Sequence, residues 1–519
     1  MMNVKYISDL YGQKYLAFTI YHLPLRVMRF AIILLILFFG NSVGAKGYFE
    51  YSSTAREAYD YVVELRFQEA RGLIAQLKRE EPENLIVHHL EDYIDFFTVY
   101  INEDEKEYNR LYPNRQQRLD AIQNGDKKSP YYLYLQADIQ VHWALISLKF
   151  GDYPTTLLGI NRAFKLLEKN AIRHPEFIAN KKDLGMLHAM VSTIPDNYKG
   201  VLSFFTSLNG TFEQGKRELE DVIRYAQRND FIFEAETYIL YAYVMLYFGN
   251  EGEQAWQIMQ TSILRNKRDP MSSFVRATVA MKTGRNDNAI GILLNRSKDR
   301  KYFAYHYLDF MLGQAKLRRL DMDAALYFNR YIQQFKGRNY IKEAYRMLAW
   351  HQLTQGDANG YGRYIQKVKT QGHAFMDNDK SALKEANSGE RPQADVLKGR
   401  LLMDGGYYQR AYASLQATSL EKMPNEKSKL EYTYFFGRIT HKLQRYEEAL
   451  RYYQQTINQG RDKSWYFACR AALERGVIFE QQGKETEAKT AFQECLSIRP
   501  SEHRFGLHQK AKAGLSRLR

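Results

Sequence analysis

The sequence predicts an all-α chain: an α-solenoid of stacked helical hairpins, interrupted by a non-repeat apolar hairpin and closed by a C-terminal capping helix. Three observations predict it. Only 11 prolines occur in 519 residues, and proline inside a helix removes a donor and clashes with the preceding turn, so long uninterrupted helices are allowed. The composition, 45% hydrophobic and 26% charged, is that of a folded chain. A tight-packing position, most often alanine, recurs at 70, 156, 255, 289, 325, 361, 411, 449 and 488. From 255 onward the spacings are 34, 36, 36, 50, 38 and 39, the mark of one supersecondary unit repeated.

The first segment, 1–45, reads as a secretory signal peptide. Arg26 and Arg29 precede the apolar run Phe30–Gly40, and Val43-Gly44-Ala45 has the small residues of a cleavage site. Met28 is the expected true start. The run is shorter than the about 20 residues a membrane span needs. An uncleaved anchor is the alternative reading, and no cysteine near Ala45 offers a lipid attachment point. The expected location is therefore outside the cytosol, periplasmic or outer-membrane-associated in a Gram-negative cell.

Residues 46–180 read as irregular helical hairpins, with LRFQEA ending at Ala70, Pro82 twelve residues on, and GDYPTT ending at Thr156. Residues 181–228 break the pattern. In Asp183–Gly210, Leu184, Leu187, His188, Met190 and Val191 follow helical spacing, Pro195 ends that helix, and Val201–Leu208 form a second short apolar helix. Neither half is long enough to span a membrane. Residues 229–519 carry the regular array: FGNEGEQA to Ala255, GRNDNA to Ala289, LDMDAA to Ala325, GDANGY to Tyr361, GYYQRA to Ala411, QRYEEA to Ala449. A polar insert at 372–392 explains the 50-residue spacing and reads as a loop or irregular helix. His503–Leu518 is amphipathic and would cap the last apolar face.

The sharpest copy is GKETEAKTAFQECLSIRP, 483–500. Gly483 starts the inter-helix turn, Ala488 lets two helices approach, Phe492 fills the gap, Cys495 lets the next unit stack and Pro500 stops the helix. These residues resemble the second half of a tetratricopeptide repeat (TPR), well over 230–500 and loosely over 55–175. The resemblance implies a right-handed superhelix with first helices lining a concave surface, and a protein-binding role. The Pro-containing apolar stretch followed by glycine is also similar to the central segment of the eukaryotic inclusion-body-clearance family of helical-repeat proteins.

Carried onto this chain, the concave positions are Tyr307, Phe310, Gln314 and Arg318, then Arg346 and Trp350, then Arg400, then Tyr434, Arg438, His441 and Lys442. Such an aromatic and basic stripe suits an acidic or extended protein segment, since arginine makes bidentate charge-assisted bonds and Tyr and Trp supply rigid contact area. The plain alternative is a solvated basic face. TPRs that bind chaperone tails place Asn at these inward slots, which here hold Gln314, Trp350, Arg400 and Arg438. The net charge is +15, and beyond residue 45 there are 70 Lys and Arg against 58 Asp and Glu, or +12. This favours acidic partners, and export leaves nucleic acid out. A second function class is a peripheral binder of anionic membrane or envelope glycan and lipid.

No HExxH, Walker, GxSxG or GxGxxG pattern is present, and adjacent His88 and His89 point apart on a helix, so no metal, cofactor or catalysis is expected. The two cysteines, Cys469 and Cys495, fall in one hairpin. They are open to two readings, a disulfide or two buried small side chains.

Overall fold

The computed structural model describes residues 47–191 and 209–518, all within one compact unit, Gly47–Arg519. The signal segment 1–45 and the apolar run 192–208, including Phe204 and Phe205, lie outside the described residues. The described chain is all-α, with 25 α-helices packed as consecutive TPR-like hairpins and no strand beyond two isolated bridges.

The hairpins follow in chain order. The first are α1 (Ser53–Val63) with α2 (Phe67–Glu80), α3 (Ile86–Asn102) with α4 (Glu105–Gln123), and α5 (Tyr131–Lys149) with α6 (Tyr153–Arg173). Next come α7 (Ala179–Val191) with α8 (Phe212–Ala226), and α9 (Glu234–Tyr247) with α10 (Gly252–Ile258) and the single turn α11 (Ser262–Arg265). Then α12 (Pro270–Lys282) pairs with α13 (Asn286–Leu294), α14 (Tyr307–Arg319) with α15 (Ala324–Gln334), and α16 (Ile341–Thr354) with α17 (Ala358–Thr370). After α18 (Asp377–Ser388), the array ends with α19 (Ala394–Asp404) and α20 (Tyr408–Gln416), α21 (Glu426–Lys442) and α22 (Tyr446–Gly460), α23 (Phe467–Gln481) and α24 (Glu485–Ser497), and the cap α25 (Arg504–Arg517).

One small-into-large fit recurs inside these hairpins. A Cβ on Gly476 of α23 would lie 2.4 Å from Phe492 of α24. The same holds for Gly437 against Tyr453 at 2.7 Å, Gly399 against Leu415 at 2.8 Å and Gly313 against Phe328 at 3.0 Å. Each small residue lies twelve positions before the repeat's tight-packing residue, or eleven for Gly313 before Ala324, and its large partner lies four after. Ala58 and Ile74, Ala277 and Leu293, and Ala349 and Ile365 occupy the same slots and are all buried. A second constant is the turn. Leu65, Gly151, Asn250, Gly284, Gly356, Gly406, Gln444 and Gly483 all have left-handed backbone and each stands five residues before a tight-packing position, while left-handed Leu320 stands four before Ala324. The left-handed residue ends the first helix and lets its last carbonyls be satisfied as the chain reverses.

One register differs from the sequence reading. In α15 the fully buried alanine is Ala324, not Ala325. Counting from Ala324, Phe328 and Tyr331 repeat the spacing of Phe492 and Cys495, so this turn is one residue shorter. The polar insert 372–392 is also more ordered than expected. Its helix α18 packs on α16, and buried Asp379 accepts hydrogen bonds from Tyr340 N at 2.6 Å and Glu343 N at 3.0 Å, capping the start of α16 from another helix. Burial, against those two bonds, pushes the Asp379 carboxyl up to about 6.

The N-terminal hairpins bury charge instead of an apolar face alone. Lys182, fully buried, meets Glu236 Oε1 at 2.8 Å and Asp183 Oδ1 at 3.1 Å. Glu236 Oε2 accepts from Tyr59 at 2.8 Å and Tyr93 at 3.2 Å. His89 bridges Tyr51 (2.7 Å) and Asp138 (2.8 Å), and His142 lies 2.8 Å from Asp92, which also accepts from Trp143 Nε1 at 2.9 Å. These hairpins also return onto the middle of the array. Asn339 N donates to Glu103 Oε2 at 3.0 Å, Asn339 Nδ2 donates to Lys149 O at 3.1 Å, and Lys149 pairs with Glu103 at 2.7 Å.

Two outcomes follow for stability. Gly476→Ala overpacks Phe492 and should cost about 1–3 kcal/mol. Gln444→Gly, at an exposed position with φ 59°, should gain about 0.5–1 kcal/mol, and denaturant melts of both variants check the pair. A third concerns pH. Burial, partly offset by Lys182 and reinforced by Asp138 and Glu236, pushes Asp183 up to about 7. An unfolded aspartate titrates near about 3.9, so the folded state holds the proton more tightly and Asp183 lowers stability as pH rises between those values. Asp183→Asn lacks that slope. Its melting temperature relative to the parent should therefore climb from about pH 4.5 to about pH 7.5, and parallel pH curves would refute the assignment.

Candidate partner-binding groove

Side chains from the first helices of several hairpins line shared cavities on the side away from the fit just described. The eleven residues picked from sequence fall into three separate places along it.

Tyr307, Phe310, Gln314 and Arg318, all on α14, border a cavity of about 390 Å3. Its other walls come from distant hairpins: Tyr100 and Glu103 of α3, Lys149 of α5, Tyr243 and Tyr247 of α9, and Tyr340 before α16. The return of α3 and α5 onto Asn339 therefore encloses this end of the stripe. Phe310 is 1% exposed and packs between Tyr307, Phe328 and Tyr331 as core.

Arg346 and Arg400 line a second cavity of about 360 Å3. Trp350 is buried between them, with Arg346 4.7 Å and Arg400 4.9 Å from its ring centroid, and its Nε1 donates to Glu385 Oε1 at 2.8 Å. Arg346 is held by Glu343 at 2.5 Å and by Ser381 Oγ at 2.9 Å. Arg400 differs: its one ion pair among the described residues is Nε to Asp404 at 3.9 Å. Sequence reasoning missed the wall opposite, Lys384, Glu385 and Glu390 from the polar insert and Lys427, Glu431 and Tyr466 from α21 and α23. The signal present in the insert was its alternation of acids and alanines, which reads equally as a solvated loop.

Tyr434, Arg438, His441 and Lys442 form the third place. Tyr434 is 1% exposed, a core ring packed on Phe467 that accepts from Arg438 Nη1 at 2.9 Å. His441 Nδ1 lies 3.7 Å from Glu474 Oε2, and Lys442 is exposed. Cys469 and Cys495, nearby, are free and fully buried with sulfurs 3.6 Å apart.

Charge is unevenly shared on this surface. Asp404 acts on Arg318, on Lys282 and on Arg400, and Arg400, which Glu385 and Glu431 also face, is raised despite its burial. Burial and the Arg400 charge outweigh Asp404 and lower the Arg318 pKa. Burial and Arg318 likewise lower Lys282. Around Glu474 stand Arg438, Arg470, His441 and Lys510 of α25, and Lys510 is lowered by burial and by Arg470 and Arg438 against the pull of Glu474. A cation whose pKa falls beside another cation is short of counter-charge. Among the described residues no group of three His, Cys, Asp or Glu is placed to hold a metal, and no helix is long and apolar enough to cross a membrane.

The family model for the tetratricopeptide repeat matches residues 470–502, from within α23 to the residue before His503. No curated protein matches the chain. Among solved structures, a chain in the crystal structure of the APC/C hetero-tetramer Cut9-Hcn1 is similar at a TM-score of 0.24 and 13% identity, over 89% of this chain and 97% of that one. At that score the likeness carries no argument about function. The chain thus contains a tetratricopeptide repeat within a TPR-like all-α fold.

Trp350→Phe keeps an aromatic ring between the two arginines and removes the bond to Glu385 together with the pyrrole part of the indole. It should cost about 1.5–3 kcal/mol, as for a hydrogen bond to a charged group, read as a lower unfolding midpoint. An unchanged midpoint would show Glu385 to be satisfied elsewhere.

Proposed function

We propose that this protein is a non-catalytic scaffold that binds an acidic, extended segment of a partner protein along the arginine-bearing concave side of its C-terminal array. The observation that supports the reading is the lowering of Arg318, Lys282 and Lys510 by burial beside neighbouring cations, Arg400 beside Arg318 and Arg438 beside Lys510. Arginine forks without a bidentate carboxylate are preorganised for carboxylates brought by a ligand. The enclosed Tyr307–Arg318 end would take a chain terminus or a single side chain, and the more open Arg400–Arg438 end the rest of the segment. Export through the 1–45 segment belongs to the same proposal and would put the partner in the cell envelope.

The test uses a fluorescent ten-residue glutamate-rich peptide and the intact chain. Binding should weaken as salt rises, and Arg400→Glu with Arg438→Glu should reduce it at least about ten-fold. Equal binding by parent and double variant would refute the groove. Cell fractionation with an antibody to the chain tests location separately, and a cytosolic pool alone would refute export.

A further inference from the structure

The N-terminal half holds another cavity, of about 280 Å3, apart from the groove. Its wall is apolar. Val63 of α1, Phe97 of α3, Val141 and Leu145 of α5, Met186 of α7 and Ile239 of α9 border it, and all six are only half-buried. Large apolar side chains that converge on one space and remain partly uncovered mark a binding cavity better than a core.

One end of the cavity is polar and built from the buried network. Asp138, Asp183, Glu236 and His142 border it, with Lys182 behind. Asp183 is 8% exposed. Its Oδ1 faces Lys182, and its Oδ2 accepts no hydrogen bond. An unsatisfied buried acceptor of this kind is costly, and Asp183 borders the cavity. At the opposite rim Asp60, Glu64 and Asp269 stand around Lys267. Six carboxyl groups thus border the space against one lysine and one histidine. An engineered apolar cavity of about 150 Å3 takes benzene, so this one holds roughly eleven heavy atoms.

We propose that this cavity binds a primary-amine amphiphile, its ammonium head against Asp183, Asp138 and Glu236 and a hydrocarbon body of about ten carbons along the Val141–Ile239 wall. A carboxylate head would meet the same three acids and be repelled. A neutral head would leave the excess negative charge unmatched. The inference draws on the N-terminal hairpins only and stands apart from the peptide groove.

Calorimetric titration of the full chain with decylamine, decanol and decanoate reads head and body separately. Decylamine should bind at least about ten-fold more tightly than decanol, with decanoate weakest. Asp183→Asn should bring decylamine close to decanol while leaving decanol unchanged, and Ile239→Trp should abolish all three by filling the cavity. If Asp183→Asn does not fold, pH supplies the second reading. Asp183 faces Lys182, Asp138, His142, Glu236 and Tyr134, and loss of its proton between about pH 6 and pH 8 should strengthen decylamine and leave decanol flat. Decanoate binding as tightly as decylamine, or decylamine binding that survives Ile239→Trp, overturns the proposal. So does binding seen only after residues 192–208, which follow Met190 at the wall, are replaced by a Gly-Ser linker, since the cavity would then belong to this chain's own segment.

Discussion

Seven of the hairpins share one fit: a glycine or alanine on the first helix faces a large side chain from the second. Gly476 with Phe492 shows how little room there is, because even one added carbon would sit 2.4 Å from the ring. The fit sets the distance between the two helices and so decides which face of each is left over. One leftover face stacks on the next hairpin, as Gly514 of the cap shows by packing on the far edge of the same Phe492. Another carries the arginines, with Arg400 and Arg438 at the same position of their helices, eleven residues before Ala411 and Ala449. Cooperative stacking of this kind makes each unit's stability a property of its neighbours.

The concave side is not one continuous trough. Glu103 and Lys149 reach Asn339 across more than half the sequence, and that contact is possible only because α3 and α5 carry buried polar groups to their ends. A row of fully apolar hairpins would stack onward without returning. Here buried ions must find partners within the fold, since a charge removed from water and left unpaired is costly, and those partners lie on other hairpins. Lys182 of α7 needs Glu236 of α9, and His89 of α3 needs Asp138 of α5. The network ties the N-terminal hairpins into a closed group and leaves cavities at the places where packing and pairing cannot both be completed.

This explains which parts were legible in the sequence. The array from 255 onward could be read because interlock and turn use residues with distinct signatures. Gly284, Gly356, Gly406 and Gly483 announce left-handed turns, and Ala289, Ala411, Ala449 and Ala488 announce close approach. Leu65, Asn250, Leu320 and Gln444 adopt the same backbone without glycine, so their repeats looked weaker than they are. Ala324 and Ala325 stand side by side, and a turn shortened by one residue chose between them. The N-terminal hairpins were read as irregular because His89, Asp92, Asp138 and Lys182 are inside, where periodicity analysis expects apolar residues. The stripe was found residue by residue, yet Phe310, Trp350 and Tyr434 proved to be core. An offset along a helix gives a direction and not the depth at which a side chain ends.

The two ends of the concave side carry opposite electrostatic arrangements, and the contrast bears on function. In the N-terminal half one buried lysine, Lys182, is shared by Asp183, Glu236 and Asp138, whose charges hold it protonated although burial opposes this. In the C-terminal half Arg318, Lys282 and Lys510 are lowered by burial beside other cations. Neither arrangement is the least-energy way to fold a solenoid, since well-packed apolar residues at the same positions would cost less than incompletely matched charge. The mismatch persists because the interlocked helices fix the side chains in place, so the groups cannot relax toward neutral pairing. A ligand of the missing sign would recover part of that free energy, cationic at Asp183 and anionic beside Arg318 and Lys282. Preorganised charge of this kind gains more on binding than flexible surface charge, because the ordering has already been supplied by folding. One continuous backbone can therefore hold two sites of opposite preference a few hairpins apart, kept distinct by the contact of Glu103 and Lys149 with Asn339.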